Sequence, residues 1–174
     1  MIISIEDAKK YITTKLDDTV LEGKLQALEQ SVRSYTHNNF QMRSIRTSCQ
    51  VMAQKLYTTY PYFNVGDTVE ISQSIFNDGV YTIKEIDGEF ITLDKKLLDE
   101  NAVLVTKVFY PADVRMGVVN LLNWELENRD KVGVQSETIS RHTVTYFNMD
   151  GDNSVMGFPK VLLGFLKPYM KARF

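Results

Sequence analysis

The residues able to do chemistry by themselves are few and scattered. The two histidines, His37 and His142, sit among polar turn and strand residues, and neither has a second ligand three or four positions away. That spacing proposes no metal centre, and both read as surface residues. The lone Cys49, between Ser48 and Gln50, excludes an internal disulfide and any multi-cysteine zinc site, and reads as a small buried hydrophobe. Asn148, Asp150 and Asp152 carry the oxygens of a calcium loop. Counting from Asn148, however, places Asn153 sixth and Pro159 twelfth, where such a loop needs glycine and a bidentate glutamate. A solvated turn is the simpler reading. The adjacent carboxylates Asp17 and Asp18 are explained by helix capping. Phosphate-cradling glycine loops, a dinucleotide fingerprint and a nucleophile elbow are all missing from the sequence. The expectation is therefore no enzyme and no cofactor, since an active site would have to be gathered by the fold alone.

Composition agrees with a globular protein of one mid-sized domain, or one domain carrying a smaller insert: 174 residues, 44% of them hydrophobic. A net charge of −2, from 20 Lys and Arg against 22 Asp and Glu, supplies no bulk basic field to hold nucleic acid by counterion release. Charges begin at Glu6, which leaves no apolar signal core, and no later run approaches the length of a membrane span. The expected location is the cytoplasm in which the chain is made, without a membrane partner.

The elements that must position any site are legible from caps and periodicity. Ser4, with Asp7 three residues on, predicts a capped first helix whose apolar face is Ile5, Ala8, Tyr11, Ile12 and Leu16. Asp17 or Asp18 caps a second helix, where Leu21, Leu25, Leu28, Val32 and Tyr35 form a seam at alternating spacings of four and three. Its polar face is Glu22, Lys24, Gln26, Glu29, Gln30 and Arg33. His37-Asn38-Asn39 ends it, the asparagines being suited to left-handed or turn conformations. From Gln41 the pattern changes to short β-branched and aromatic runs divided by turn signals. Asp87-Gly88 predicts a two-residue type I′ hairpin between residues 80–86 and 89–94, pairing Lys84 with Ile91 and Ile83 with Thr92. That pairing places Ile86, Ile91 and Leu93 on one face and Tyr81, Ile83 and Phe90 on the other. Residues 68–72 and 103–109 add strands, and apolar residues on both faces predict a small curled barrel, generically similar to SH3-like barrels.

Residues 111–147 organise the rest. Pro111 suits the first position of a third helix, predicted to end near Lys131 ahead of Gly133. Its stripe of Val114, Val118, Leu121 and Leu122, widened by Val119, Leu126 and Trp124, exceeds what one core-facing side requires. It suits a helix buried on two sides, one against a neighbouring subunit, or the centre of an ordinary small core. A polar loop is expected over residues 131–137, then one β-like run in which Ile139, Arg141, Thr143 and Thr145 alternate with Ser140, His142, Val144 and Tyr146. After a glycine-rich loop, Pro159 opens a last helix faced by Val161, Leu162, Phe165, Leu166 and Tyr169, and Pro168 should kink or stop it.

The sequence Pro111-x-Asp113-Val114-Arg115, Asn128-Arg129 further along the same helix, Ser136-Glu137-x-Ile139-Ser140, Thr143-Val144-Thr145-Tyr146 and Gly157-Phe158-Pro159 resembles the head–tail connector proteins of tailed bacteriophages. The likeness continues at Ile5-Glu6-Asp7-Ala8-Lys9 and in the Asp17-Asp18 helix. It covers about two-thirds of the chain in two blocks of apolar and turn positions, with no chemical signature. This chain departs from the family's plain, nearly all-helical form by the β-type sequence between those blocks. The resemblance implies an α+β fold: a small helical bundle of connector type from residues 1–42 and 110–174, with a β-barrel-like domain, residues 43–109, inserted between helices two and three. It also implies a ring of copies, dodecameric in the virion, at the virion neck after assembly in the bacterial host cytoplasm. The partners it implies are the portal protein, a neck or tail completion protein, and passing double-stranded DNA held without sequence-specific contact. Candidate contacts with subunits or portal are Trp124, the loop residues Gln135, Ser136, Glu137 and Arg141, and the C-terminal Lys167, Lys171, Arg173 and Phe174. The alternative is a peptide- or nucleic-acid-binding adaptor acting through the β-insert. Lys55, Tyr57, Tyr60, Tyr62 and Phe63 are its one aromatic-rich stretch.

Overall fold

The structure, a computed structural model, describes residues 1–129, 136–139, 142–145 and 152–172. It is α+β and divides into two units: Asn38–Tyr110 together with Met1, and Ile2–His37 together with Pro111–Phe174.

The first unit is a closed antiparallel barrel of six strands. They are β1 (Gln41–Met52), β2 (Lys55–Tyr57), β3 (Thr68–Ser72), β4 (Gly79–Asp87), β5 (Phe90–Leu93) and β6 (Glu100–Val108). Around the barrel the order is β1-β2-β5-β4-β3-β6, with β6 pairing back onto β1. Alternation along each strand sends Cys49, Val51, Leu56, Val69, Ile71, Tyr81, Ile83, Ile91, Leu93, Val103 and Val105 inward, where they form one apolar core with Phe63 and Leu97. Fully burying each aliphatic side chain contributes about 1.5–3 kcal/mol.

The β4–β5 hairpin differs from its predicted register by two residues. Asp87 pairs with Phe90 and Ile86 with Ile91, so the turn is Gly88-Glu89. Gly88 has φ +58, whereas Glu89 is not left-handed, which excludes a type I′ turn. A shift in register between Ile83 and Glu85 then changes the alternation. As a result Tyr81, Ile83, Ile91 and Leu93 share the interior, while Ile86 and Phe90 are exposed, and the predicted division into two apolar faces does not hold.

In the second unit, α1 (Ile5–Lys9) starts at Ser4, whose hydroxyl accepts from the Asp7 N–H at 3.1 Å and donates to the Asp7 carboxylate at 3.0 Å. It ends before Tyr11, so that residue is exposed rather than part of an apolar face. Helix α2 (Asp18–Thr36) buries Leu21, Leu25, Leu28 and Val32 along the predicted seam. Four of the residues expected on its solvated face are not fully exposed, Glu22 and Arg33 among them. Glu29 is buried, and Lys24 is only partly exposed because it pairs with Glu125 at 2.6 Å. At its C-terminus the left-handed residue is His37 (φ 49) rather than an asparagine. Asn38 instead accepts from the Phe40 N–H at 2.9 Å, an Asx-type turn that leaves Phe40 at φ 53.

Helix α3 (Ala112–Asn128) starts one residue later than predicted, with Pro111 as its N-cap, and ends at Asn128; Lys131 lies outside the described residues. Val114, Gly117, Val118, Val119, Leu121 and Leu122 are its buried face. The single β-like run expected after it is two strands, β7 (Ser136–Ile139) and β8 (His142–Thr145), paired antiparallel with Ile139 opposite His142. Short strands β9 (Ser154–Val155) and β10 (Phe158–Pro159) lead into a 3-10 helix, Lys160–Tyr169, where an α-helix was predicted. Three residues per turn align Leu163 and Leu166, the two buried side chains, and leave Val161 at 80% exposure. This helix lies on α3 through Phe165 and Gly117. A Cβ at Gly117 would meet the Phe165 ring at 2.4 Å.

Candidate functional site

The helical unit places one candidate contact residue among named partners. Trp124 is half-buried, with its ring edge-on to Phe158 at 5.4 Å, and the Arg129 guanidinium lies 5.9 Å from Trp124 and 5.3 Å from Phe158. Arg129 also reaches Glu125 at 3.4 Å, so Lys24, Glu125 and Arg129 form a charge ladder beside the aromatic pair. The cover for Trp124 therefore comes from Phe158, just ahead of the last helix, with part of the indole left to solvent. Lys167 and Lys171 are exposed. The Lys171 N–H donates to the Thr36 carbonyl at 2.8 Å, which ties the chain after the last helix to the end of α2. Ser136 and Glu137 lie on β7, opposite Thr145 and Val144. Gln135, Arg141, Arg173 and Phe174 lie outside the described residues, as do residues 148–151 of the possible calcium loop.

The histidines and the cysteine lie on different elements: His37 at the end of α2, Cys49 on β1 and His142 on β8. His37 is exposed at the end of α2. Cys49 is buried in the barrel core, and burial pushes its thiol pKa up, against a smaller opposing effect of a hydrogen bond with Thr58. Among the described residues no group of three acidic, histidine or cysteine side chains is placed to hold a metal ion. No described helix is long and apolar enough to cross a membrane.

The barrel carries two surface features, an apolar tip and a cleft lined in part by Tyr57 and Tyr60 of the aromatic stretch named above. The first is a tip built from the β3–β4 and β5–β6 loops, where Ile75, Phe76 and Leu98 are 79%, 64% and 60% exposed. These apolar side chains stand on a hydrogen-bonded base. Glu100 accepts from the Ser74 hydroxyl, from the Ile75 N–H at 2.8 Å and from the Asn77 amide at 3.0 Å. Asn77, itself buried, spans to the opposite loop by donating to the Leu98 carbonyl at 2.9 Å and accepting from the Leu98 N–H at 2.8 Å. The Ser74 hydroxyl accepts in turn from the Asn77 N–H at 2.7 Å, and the Asp78 carboxylate from the Ser74 N–H at 2.9 Å. These bonds hold the Glu100 carboxyl below the usual range, with Ser74 as the largest cause and the Ile75 N–H next. A sequence signal for the tip existed in Ser74-Ile-Phe-Asn-Asp-Gly79, an apolar pair enclosed by turn residues.

The second feature is an open cleft of about 700 Å³ along β1, lined by Thr47, Ser48, Gln50 and Asn101 on one side and Tyr57, Thr58, Tyr60 and Pro61 on the other. Within the aromatic stretch singled out above, Phe63 belongs to the core and Tyr60 packs against it. Tyr62 is 59% exposed, and the Tyr57 ring lies tilted against Phe90 with centroids 5.4 Å apart. All of the residues lining the cleft are uncharged. A nucleic-acid groove would need cations along it.

No protein-family model matches the chain, and no curated protein matches it.

Proposed function

We propose that this chain is a structural assembly subunit, a head–tail connector of a tailed phage, acting through protein contacts rather than catalysis. The observation that carries this reading is the apolar tip on its hydrogen-bonded base. A loop free to move could fold Ile75 and Phe76 back onto the barrel, but the Asn77 and Glu100 network holds the backbone that presents them outward. Exposed apolar groups fixed in this way are stabilised when another protein covers them. The partly exposed Trp124 on the helical unit is a second, chemically different patch. A ring of identical copies joined head to tail needs two different patches on each subunit. In this reading copies close a ring beneath the portal, continue the DNA channel, and dock the neck or tail component. The connector-type arrangement of the helices belongs to the same proposal, and rests on the resemblance in the two end blocks of sequence.

The test is an Ile75→Ser, Phe76→Ser double variant. Both side chains are solvent-facing, so stability should change by no more than about 0.5 kcal/mol per substitution. The variant is expected to melt like the parent and to fail to join heads to tails when it replaces the parent in infected cells. Full joining by the folded variant would contradict the role of the tip.

A further inference from the structure

The cleft on the barrel exists because two neighbouring strands stop matching. β1 has 12 residues, but β2 has three and pairs with it only at Gln50–Tyr57, Val51–Leu56 and Met52–Lys55. Sequence explains why β2 ends there. The Thr58 hydroxyl accepts from the Tyr60 N–H at 3.1 Å, a local bond that competes with the ladder, and Pro61 has no N–H to donate. By strand alternation the Thr58 N–H faces β5 and donates to the Glu89 carbonyl at 2.8 Å, continuing the β2–β5 ladder one residue further. Further on, the Tyr60 hydroxyl reaches the Ser44 carbonyl at 3.4 Å and bounds the far end of the opening. Between these limits β1 pairs with β6 through Arg46, Thr47, Ser48 and Cys49, and among the described residues no strand pairs with it on its β2 side.

The direction of the main-chain groups follows from the turn that joins β1 to β2. Ala53 and Gln54 both have positive φ, 50 and 66, in a two-residue loop, so Met52 and Lys55 form the hydrogen-bonded closing pair. Hydrogen-bonding direction alternates along an antiparallel strand, so Gln50 and then Ser48 also face the β2 side. Gln50 meets Tyr57 there, and Ser48 meets the cleft. The Ser48 carbonyl takes a long 3.4 Å contact from the Thr47 hydroxyl, a weak substitute for a ladder bond.

We propose that this slot is a strand-acceptor site: an extended polypeptide segment from another protein chain adds to the open edge of β1 and pairs with the main chain of Ser48. Four residues of open edge correspond to about 13 Å at roughly 3.3 Å per residue, enough for one short strand. The uncharged lining selects against a charged residue at the point of entry, since a charge there would lose water without gaining a partner. Tyr57, Tyr60 and Pro61 form the wall against which alternate side chains of the segment would lie. The inference rests on the barrel alone and holds whether or not the chain forms rings.

The test uses heptapeptides selected from a random displayed library on the full-length protein, then synthesised with capped ends. Saturating peptide is expected to slow amide exchange at Ser48 by at least about tenfold, the protection of a modest hydrogen bond. Ser48→Pro, which removes the N–H, should weaken binding by about tenfold or more, whereas Ser48→Ala, which keeps it, should stay within about threefold. Should the proline variant fail to fold, exchange at Ser48 in the parent protein decides the matter. Failure to select any peptide would overturn the proposal, as would peptides that leave Ser48 exchange unchanged or bind the folded proline variant as well as the parent. Joining assays play no part here, so the outcome is separable from the fate of the connector reading.

Discussion

Individual side chains decide how well the two units hold their surfaces. Gly117 lies where α3 meets Phe165, and an added methyl would sit 2.4 Å from that ring. Alanine favours a helix over glycine by about 1 kcal/mol, but overpacking typically costs about 1–3 kcal/mol, so the steric effect should win. Gly117→Ala is expected to lower stability in chemical denaturation by about 1 kcal/mol, and Phe165→Leu in the same chain should recover part of the loss. An equally stable or stabilised Gly117→Ala protein would mean that the ring yields freely. Glu100 sets a pH dependence at the tip. Its carboxyl pKa is lowered in the folded chain, so its contribution is fully present above the ordinary glutamate value and is lost as pH falls through the depressed one. The Ile75 and Asn77 amides should therefore exchange faster as pH is taken below the ordinary carboxylate range, after correction for intrinsic rates. Glu100→Gln should exchange faster than the parent at neutral pH and lose the acid-dependent step.

At the level of elements, the β1–β2 turn is the weakest match between sequence and backbone. Ala53 and Gln54 both adopt left-handed conformations, which L side chains disfavour and Asn-Gly accommodates. Changing Ala53→Asn with Gln54→Gly should raise stability by about 0.5–1 kcal/mol in urea titrations, unless loss of the Gln54 side chain weakens the bond from its N–H to Asp99 at 3.1 Å. This turn also shows why part of the fold was illegible. Ala-Gln carries no turn signal, so nothing in the residues announces that β1 doubles back at Met52. The α2 seam was readable because Leu21, Leu25, Leu28 and Val32 repeat on one helical face, and the β3 limits were readable from Gly66-Asp67 and the alternation after it. In the β4–β5 hairpin Asp87-Gly88 is a strong type I′ signal, whereas the chain uses Gly88 as the first turn residue and places a register shift near Lys84. The apolar residues of the last helix fit either helical period, and burial selects the three-residue one. For the two barrel surfaces the sequence carries local signals, an apolar pair among turn residues for the tip and Tyr57 and Tyr60 for the cleft, but not their geometry. The tip depends on long-range bonds from Asn77 and Glu100, and the cleft on where β2 stops.

For the whole molecule, the division into a barrel and a helical unit leads to a test of autonomy. The barrel residues 38–110 close their own sheet and enclose their own core, which are the conditions for independent folding. Expressed alone, residues 38–110 should give a cooperative thermal transition and a β-type circular dichroism spectrum. A chain that stays unfolded would show that its stability depends on the rest of the protein. The central claim concerns assembly, and electron microscopy addresses it most directly. On the connector reading, the gene for this chain would be interrupted in the phage proposed to carry it, and the lysate imaged with and without added purified protein. The connector reading predicts DNA-filled heads lying apart from complete tails, with joined particles restored by the added protein. Normally joined virions in the interrupted lysate would contradict it.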